Sequence, residues 1–513
     1  MRTKSLLQNI LLLLFSVLLI LALCEYGLRI YRDSSGGAIL STVGFSDAPI
    51  ADRHLDAVAV PKGIDRTWFR QDPPQIARDP REVSPAAAKL YETYLRRGVY
   101  APQSYYVWNK VFVEKRICVK NDYVFGQYGD LANNLKVFTP QDGEPYPRYR
   151  NPANTLTASG LRTNRYGFRG PELSLQKGSN IVRIAFLGAS TTIASHAFPF
   201  SYPEHFGHWL NLWLQANNYP LQVEVINAGR EGIGSSDIAA IFEQEVLPLA
   251  PDYVIYYEGA NHMSIGSELV DTAKPQRSYP TRKLLPIKLV QNSSIAELME
   301  DFFRMRLFPI LIEWRRPQSK LVFPAGINES DPDIDRTDLP INLSIILGNL
   351  HRIAGQSKKS DVRFLVSSFI WLDGGEPEIL HDQSRHIEIL SQVNGVFWPL
   401  VPKDIRRLVE FQNRVFQRFA ALSKLDFMDI AGSFPRDPNL FTDGIHFTPE
   451  GVRMQAWVAL AQFLAYFARD LERGFVPKGQ LPNMKSDAVP STTGESYSAN
   501  CSASQGLAQA LLF

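Results

Sequence analysis

The stretch Ile181-Val-Arg-Ile-Ala-Phe-Leu-Gly-Ala-Ser-Thr-Thr192 decides how the rest of the chain is read. Its first seven residues form a β-type run, apolar except for Arg183. A glycine, a small residue and a serine follow, and then a helix-compatible segment. That order predicts a strand, a tight turn and a helix start, with a hydroxyl at the bend. Such a bend presents Ser190 at the carboxyl edge of a parallel sheet, where α/β proteins bind their ligands. It also aims the first free N–H groups of the helix at whatever the serine touches, which suits a developing oxyanion. A Gly-x-Ser turn also occurs as a plain connection, so its weight depends on what lies downstream.

Working outward, strands and helices alternate. Strand patterns lie at 181–187, 222–227, 253–258, 362–369 and 426–430. Helical patterns lie at about 203–217, 236–247, 341–355 and 404–423, and a last one runs from Pro449 to Arg473. This alternation predicts an α/β fold with a parallel sheet covered on both faces. Two insertions interrupt it. The first, 263–340, holds an apolar helix candidate, Ile295 to Trp314, read as packed core ahead of lid or acyl-chain pocket. The second, 371–402, is loop-like. Upstream, 85–95 reads as a helix and 100–150 as aromatic and β-prone, so 85–160 is expected to be an accessory layer. Asn164-Arg-Tyr-Gly-Phe-Arg-Gly170 suits a tight turn leading into the next domain. Asp33 to about Ser84 reads as an irregular stalk. The expected division is 1–32 anchor, 33–175 stalk and partly β accessory region, 176–474 α/β domain, and 475–513 disordered tail.

The chain has 513 residues, 45% of them hydrophobic, which allows several domains and a large core. A net charge of +2 without a long basic stripe gives no nucleic-acid footprint. Of the three cysteines, Cys24 sits in an apolar segment and Cys501 in the expected tail, so no Cys118–Cys501 bridge is expected. Near the N-terminus, Leu6 to Leu23 is an eighteen-residue run whose polar members are Gln8, Asn9 and Ser16. As a helix it measures about 27 Å, close to the ~30 Å of a bilayer core. Leu21-Ala22-Leu23 is too bulky for a signal-peptidase site, and Leu23 spoils a lipoprotein site, so an uncleaved single-pass anchor is expected. Arg2 and Lys4 before the run balance Arg29 and Arg32 after it. The short end is assigned to the inside and the bulk of the chain to the outside of the cytoplasm.

Three later segments raise the weight of Ser190. The second strand ends in Asn227-Ala-Gly-Arg-Glu-Gly232-Ile-Gly234, a glycine-rich turn where a backbone N–H can approach a ligand closely. Its spacing is the reverse of a dinucleotide-binding fingerprint. The third strand ends in Glu258-Gly-Ala-Asn261-His262, which brings a carboxamide to the same sheet edge. Near the C-terminus stands Asp443-Gly-Ile-His446, where an acid three residues ahead of a histidine can orient its imidazole. His196 and His262 are rival bases without such an acid. His205 and His208 share a helix face, but no third metal ligand is evident. His381 and His386 are assigned no role.

These four blocks, in this order, resemble the SGNH (GDSL-type) hydrolase family over roughly 180–470, apart from the insertions. By motif the matches are Ser190, Gly232, Asn261 and His446, with Asp443 as the acid. One departure is Ala189, where the family has aspartate. The resemblance implies a three-layer, flavodoxin-like sheet and a Ser-His-Asp esterase. Catalysis would fall to Ser190, His446 and Asp443, and the oxyanion to the N–H groups of Ser190 and Gly232 and the side-chain amide of Asn261. No metal or cofactor is implied. The expected substrate is an acyl ester, acetyl included, of an envelope carbohydrate or lipid, an expectation that rests on location. O-acyl transfer to a glycan and a non-catalytic, glycan-binding envelope scaffold are the alternatives. Nucleic acid is not an expected partner, and the oligomeric state is left open.

Overall fold

The computed structural model describes residues 52–74, 162–194, 200–263, 320–372 and 402–477, except 62, 175 and 231. It also describes 19–28, two short strands and single positions elsewhere. The helix expected at 85–95, most of 100–150, most of Ile295–Trp314, Cys118, Cys501, and the tail beyond 477 lie outside the described residues.

The two short strands, β1 (Val137–Thr139) and β2 (Arg148–Arg150), pair antiparallel within the region read as β-prone. The main sheet has five strands: β3 (Ile181–Gly188), β4 (Gln222–Asn227), β5 (Tyr253–Tyr257), β6 (Arg363–Ser367) and β7 (Asp426–Met428). Every pairing is parallel, in the order β4-β3-β5-β6-β7. Sequence order is thus 2-1-3-4-5, the flavodoxin-like arrangement, with its switch point beside the first strand. A strand buried on both faces reads as a continuous apolar run, and all eight residues of β3 are buried.

Among the described residues, seven α-helices connect and cover the sheet: α1 (Ser190–Ile193), α2 (Tyr202–Ala216), α3 (Ser235–Ile241), α4 (Leu343–Lys359), α5 (Pro402–Leu422), α6 (Ile430–Ser433) and α7 (Pro449–Glu472). The helix expected at 236–247 is α3 continued by a π-turn, Phe242–Val246. On one face α2 and α7 pack together; Phe206 meets Phe463 edge-on, and Phe463 in turn meets Tyr253 of β5. On the other face lie α3, α4 and α5. Arg183, the polar residue of β3, is fully buried. It is bonded to Glu224 at 2.6 and 2.9 Å and to the Ser174 carbonyl at 2.7 Å.

Residues 52–72, read from the sequence as irregular, contain two short 3-10 turns, Asp52–Ala57 and Arg66–Arg70. They nevertheless seat Leu55, Val58, Trp68 and Phe69 in the core. Phe69 packs on both Trp209 of α2 and Trp457 of α7, with ring centroids 5.9 and 5.5 Å away. Phe168 and Leu173 join the same core from the turn ahead of β3.

Candidate active site

Ser190 lies one residue beyond β3, after Ala189, and is the first residue of α1, 7% exposed. A side chain at Gly188 would come within 2.0 Å of Thr192 Oγ1 and 2.4 Å of the Tyr257 carbonyl oxygen. Glycine is therefore required for the strand to turn so tightly into the helix. At its other end α1 closes on Ala194, at φ +47°, whose N–H bonds the Ser190 carbonyl at 2.9 Å. A non-glycine residue in that left-handed region is held there by its surroundings.

The loop between β7 and α7 brings His446 to the serine. Nε2 of His446 lies 2.8 Å from Ser190 Oγ, and Nδ1 lies 2.7 Å from Asp443 Oδ2. Asp443 Oδ1 accepts the backbone N–H groups of Ile445 and His446, each at 2.8 Å. Burial alone would push the Asp443 carboxyl up. The neighbouring His446 charge and these bonds together hold it well below the usual carboxylate range. An ionised Asp443 favours the tautomer with the proton on Nδ1, which turns the Nε2 lone pair to the Ser190 hydroxyl. Behind the loop, Phe441 and Phe447 bridge in antiparallel fashion and pack on Phe434, and the Leu372 N–H bonds the Gly444 carbonyl at 2.8 Å.

Gly232 stands in the β4–α3 turn at φ +66°, a conformation that favours glycine. The turn is fixed from behind by Arg230, buried and ion-paired with buried Glu245. Asn261 follows β5, and its Nδ2 donates to the Ile233 carbonyl at 2.7 Å, joining the two loops. The second Nδ2 hydrogen remains to serve another acceptor.

Two supporting residues escaped the sequence reading. Glu258, 2% exposed, accepts the N–H groups of Ala260 at 2.8 Å and Asn261 at 2.7 Å. Burial pushes its carboxyl up to about 7, against the lowering effect of those bonds and of His446. Gln412 of α5, fully buried, donates to the Gly259 carbonyl at 2.5 Å and accepts from Trp371 Nε1 at 3.0 Å. An acid directly before Gly-x-Asn was a visible signal for Glu258. Gln412 carried none.

The rival histidines sit elsewhere. His262 Nε2 accepts the Ser235 N–H at 2.7 Å, so it is directed at α3 and not at Ser190. Burial lowers its pKa, which keeps it a neutral acceptor. His205 is buried against Trp209, and burial, with nearby cationic residues, holds it well below its ordinary value. Among the described residues no cluster of three metal-ligating side chains occurs. His196, His381 and His386 lie outside the described residues.

No protein-family model matches the chain, and no curated protein does. Among solved structures, it is similar to a mutant of Axe2, an acetyl-xylooligosaccharide esterase from Geobacillus stearothermophilus. There the identity is 17% over 56% of this chain and 95% of that one, with a TM-score of 0.30. A GDSL-like lipase from Bacteroides thetaiotaomicron shares 14% over 59% and 93%, at 0.27. A lipase/acylhydrolase from Enterococcus faecalis shares 16% over 56% and 96%, at 0.30.

Proposed function

We propose that the protein is a serine esterase of the SGNH type, and the observation that carries this reading is the Ser190–His446–Asp443 hydrogen-bonded chain. Ser190 Oγ attacks the ester carbonyl carbon while its proton passes to His446 Nε2. The carbonyl oxygen becomes an oxyanion, taken up by the N–H groups of Ser190 and Gly232 and the amide of Asn261. Collapse breaks the bond to the alcohol oxygen, which leaves with the proton from Nε2. Water then attacks the acyl-serine and gives a proton to the same nitrogen; the acyl–Oγ bond breaks, Oγ takes that proton back, and the acid is released. Asp443 holds the imidazole in the required tautomer and stabilises its charged form.

The physiological ester is assigned to an envelope carbohydrate or lipid, with an N-terminal anchor holding the enzyme outside the cytoplasm. Support for the anchor comes from the run Leu6–Leu23 and from the exposed, helical Leu19, Ile20, Leu21 and Leu23. Among the described residues no helix is long and apolar enough to cross a membrane.

Treating the full-length chain with a fluorophosphonate tests the chemistry. Labelling at Ser190 that disappears in His446→Ala is expected; no labelling, or labelling indifferent to His446, overturns it. Release of acetate from p-nitrophenyl acetate, unchanged by added glycan acceptor, is expected of a hydrolase. Transfer to the glycan reassigns the chain as an acyltransferase.

A further inference from the structure

The turn Asn164–Gly170 carries a residue that the proposed chemistry does not use. Arg169 is 3% exposed and comes from the segment ahead of β3. Its Nη1 donates to the carbonyl oxygens of Ile193 at 2.8 Å and Ala194 at 2.5 Å. Its Nε donates to Glu204 Oε2 at 3.1 Å. Glu204 is fixed in turn by the Ser201 N–H and hydroxyl, both at 2.7 Å. Along the backbone, Arg169 bridges Asn227 at the end of β4. The Asn227 Nδ2 donates to the Thr192 carbonyl at 2.9 Å and to Ser201 Oγ at 3.1 Å. Two side chains from outside α1 therefore take up the carbonyls of Thr192, Ile193 and Ala194.

The short helix needs such help. A four-residue helix is far below the length at which one sustains itself, and its last carbonyls have no partners within it. Its C-terminal end is the negative end of the helix dipole, where a buried cation is favourable. Ala194 keeps its left-handed conformation there without being glycine. Since α1 begins at Ser190, any tilt or fraying of its single turn moves Oγ relative to His446.

We propose that Arg169 is a positioning residue of this site, a cationic clamp on the C-terminal end of α1 that aims Ser190 Oγ at His446 Nε2. The activity readout of this proposal rests on the esterase reading; the clamp itself does not. The competing view is that Arg169 and Glu204 form an ordinary buried ion pair that only stabilises the fold.

The experiment compares the full-length chain with Arg169→Met and Arg169→Lys, following fluorophosphonate labelling, kcat and KM, and amide hydrogen exchange. A misplacement of about 1 Å at a reacting group costs on the order of 10²-fold. Arg169→Met is therefore expected to lose roughly tenfold to hundredfold in labelling rate and kcat, with KM within about twofold. Exchange at the amides of Thr192–Ala194 rises in parallel, while α4 is unchanged. Arg169→Lys restores the charge and one donor but not the fork, and recovers part of both readouts. Faster exchange throughout, α4 included, with activity lost only in proportion, gives the competing view. Unchanged exchange at 192–194 overturns the clamp, and raised exchange with wild-type labelling overturns its link to Ser190. Should Arg169→Met fail to fold, Arg169→Lys carries the comparison, and wild-type values in both readouts overturn the need for the guanidinium. A wild-type chain that does not label overturns the esterase reading, and exchange alone then decides the clamp.

Discussion

Asp443 holds His446 at two points at once. Oδ2 takes the ring through Nδ1 at 2.7 Å, and Oδ1 takes the backbone N–H of the same residue at 2.8 Å. The imidazole is thereby fixed in place as well as in tautomer. The Asp443 carboxyl is held below its ordinary value despite burial. Its contribution to stability is accordingly present above the unfolded pKa, near ~4, and is lost only as pH falls through the lower folded value. Across pH 5–8 it stays ionised, so an acid limb of the activity profile in that range belongs to another group.

Replacing this acid separates its two contacts. Asp443→Asn retains an oxygen for the backbone N–H groups but favours the wrong imidazole tautomer. Ester hydrolysis is expected to fall on the order of 10³–10⁴-fold in kcat with the fold retained. Activity within tenfold of wild type, with an unchanged urea midpoint, would remove Asp443 from the proposed mechanism.

Glu258 supplies a pH signature of opposite sign. Its folded pKa is raised from 4.5 to about 7, chiefly by burial. The ionised form therefore costs stability, and this cost grows as pH rises from 4.5 through 7, to roughly 3 kcal/mol. Glu258→Gln keeps the acceptor for Ala260 and Asn261 without the charge. The variant's stability relative to wild type is expected to be larger at pH 8 than at pH 4.5. Urea unfolding at the two values measures this, and a pH-independent difference would sink it.

The amide of Asn261 is expected to matter to the transition state more than to binding. Asn261→Ala should lower kcat by about 10²–10³, with KM shifted only a few-fold. Steady-state kinetics on one ester decides; a kcat within threefold of wild type would take Asn261 out of the oxyanion site.

Phe69 tests whether the segment ahead of the sheet belongs to the folding unit. It is fully buried against Trp209 and Trp457, so Phe69→Ala is expected to cost about 3–5 kcal/mol. Chemical denaturation followed by tryptophan fluorescence reads this directly. A loss below about 1 kcal/mol would mean that residues 52–72 rest on the domain without supporting it.

The five strands and the Asp443–His446 pair were legible because each is local, a run of apolar residues or a spacing of three. Gln412 was not, because its partner Gly259 lies 153 residues away. Arg169 read as part of a tight turn because a turn is all that its neighbours specify. Phe69 was hidden for a different reason. The 3-10 turns around it are five and six residues long, too short to show a period, so composition alone suggested a stalk.

On the proposed anchoring, the packing of residues 52–72 onto α2 and α7 would also set a radius of action. Between Leu28, at the end of the described N-terminal helix, and Asp52 stand 23 residues. A polypeptide of that length reaches at most about 80 Å. Were the N-terminal helix seated in a bilayer as proposed, Ser190 would be leashed to a shell only that deep plus the breadth of its own domain. An ester on a freely diffusing molecule would have to enter the shell, whereas one on a membrane-borne molecule would already be inside it.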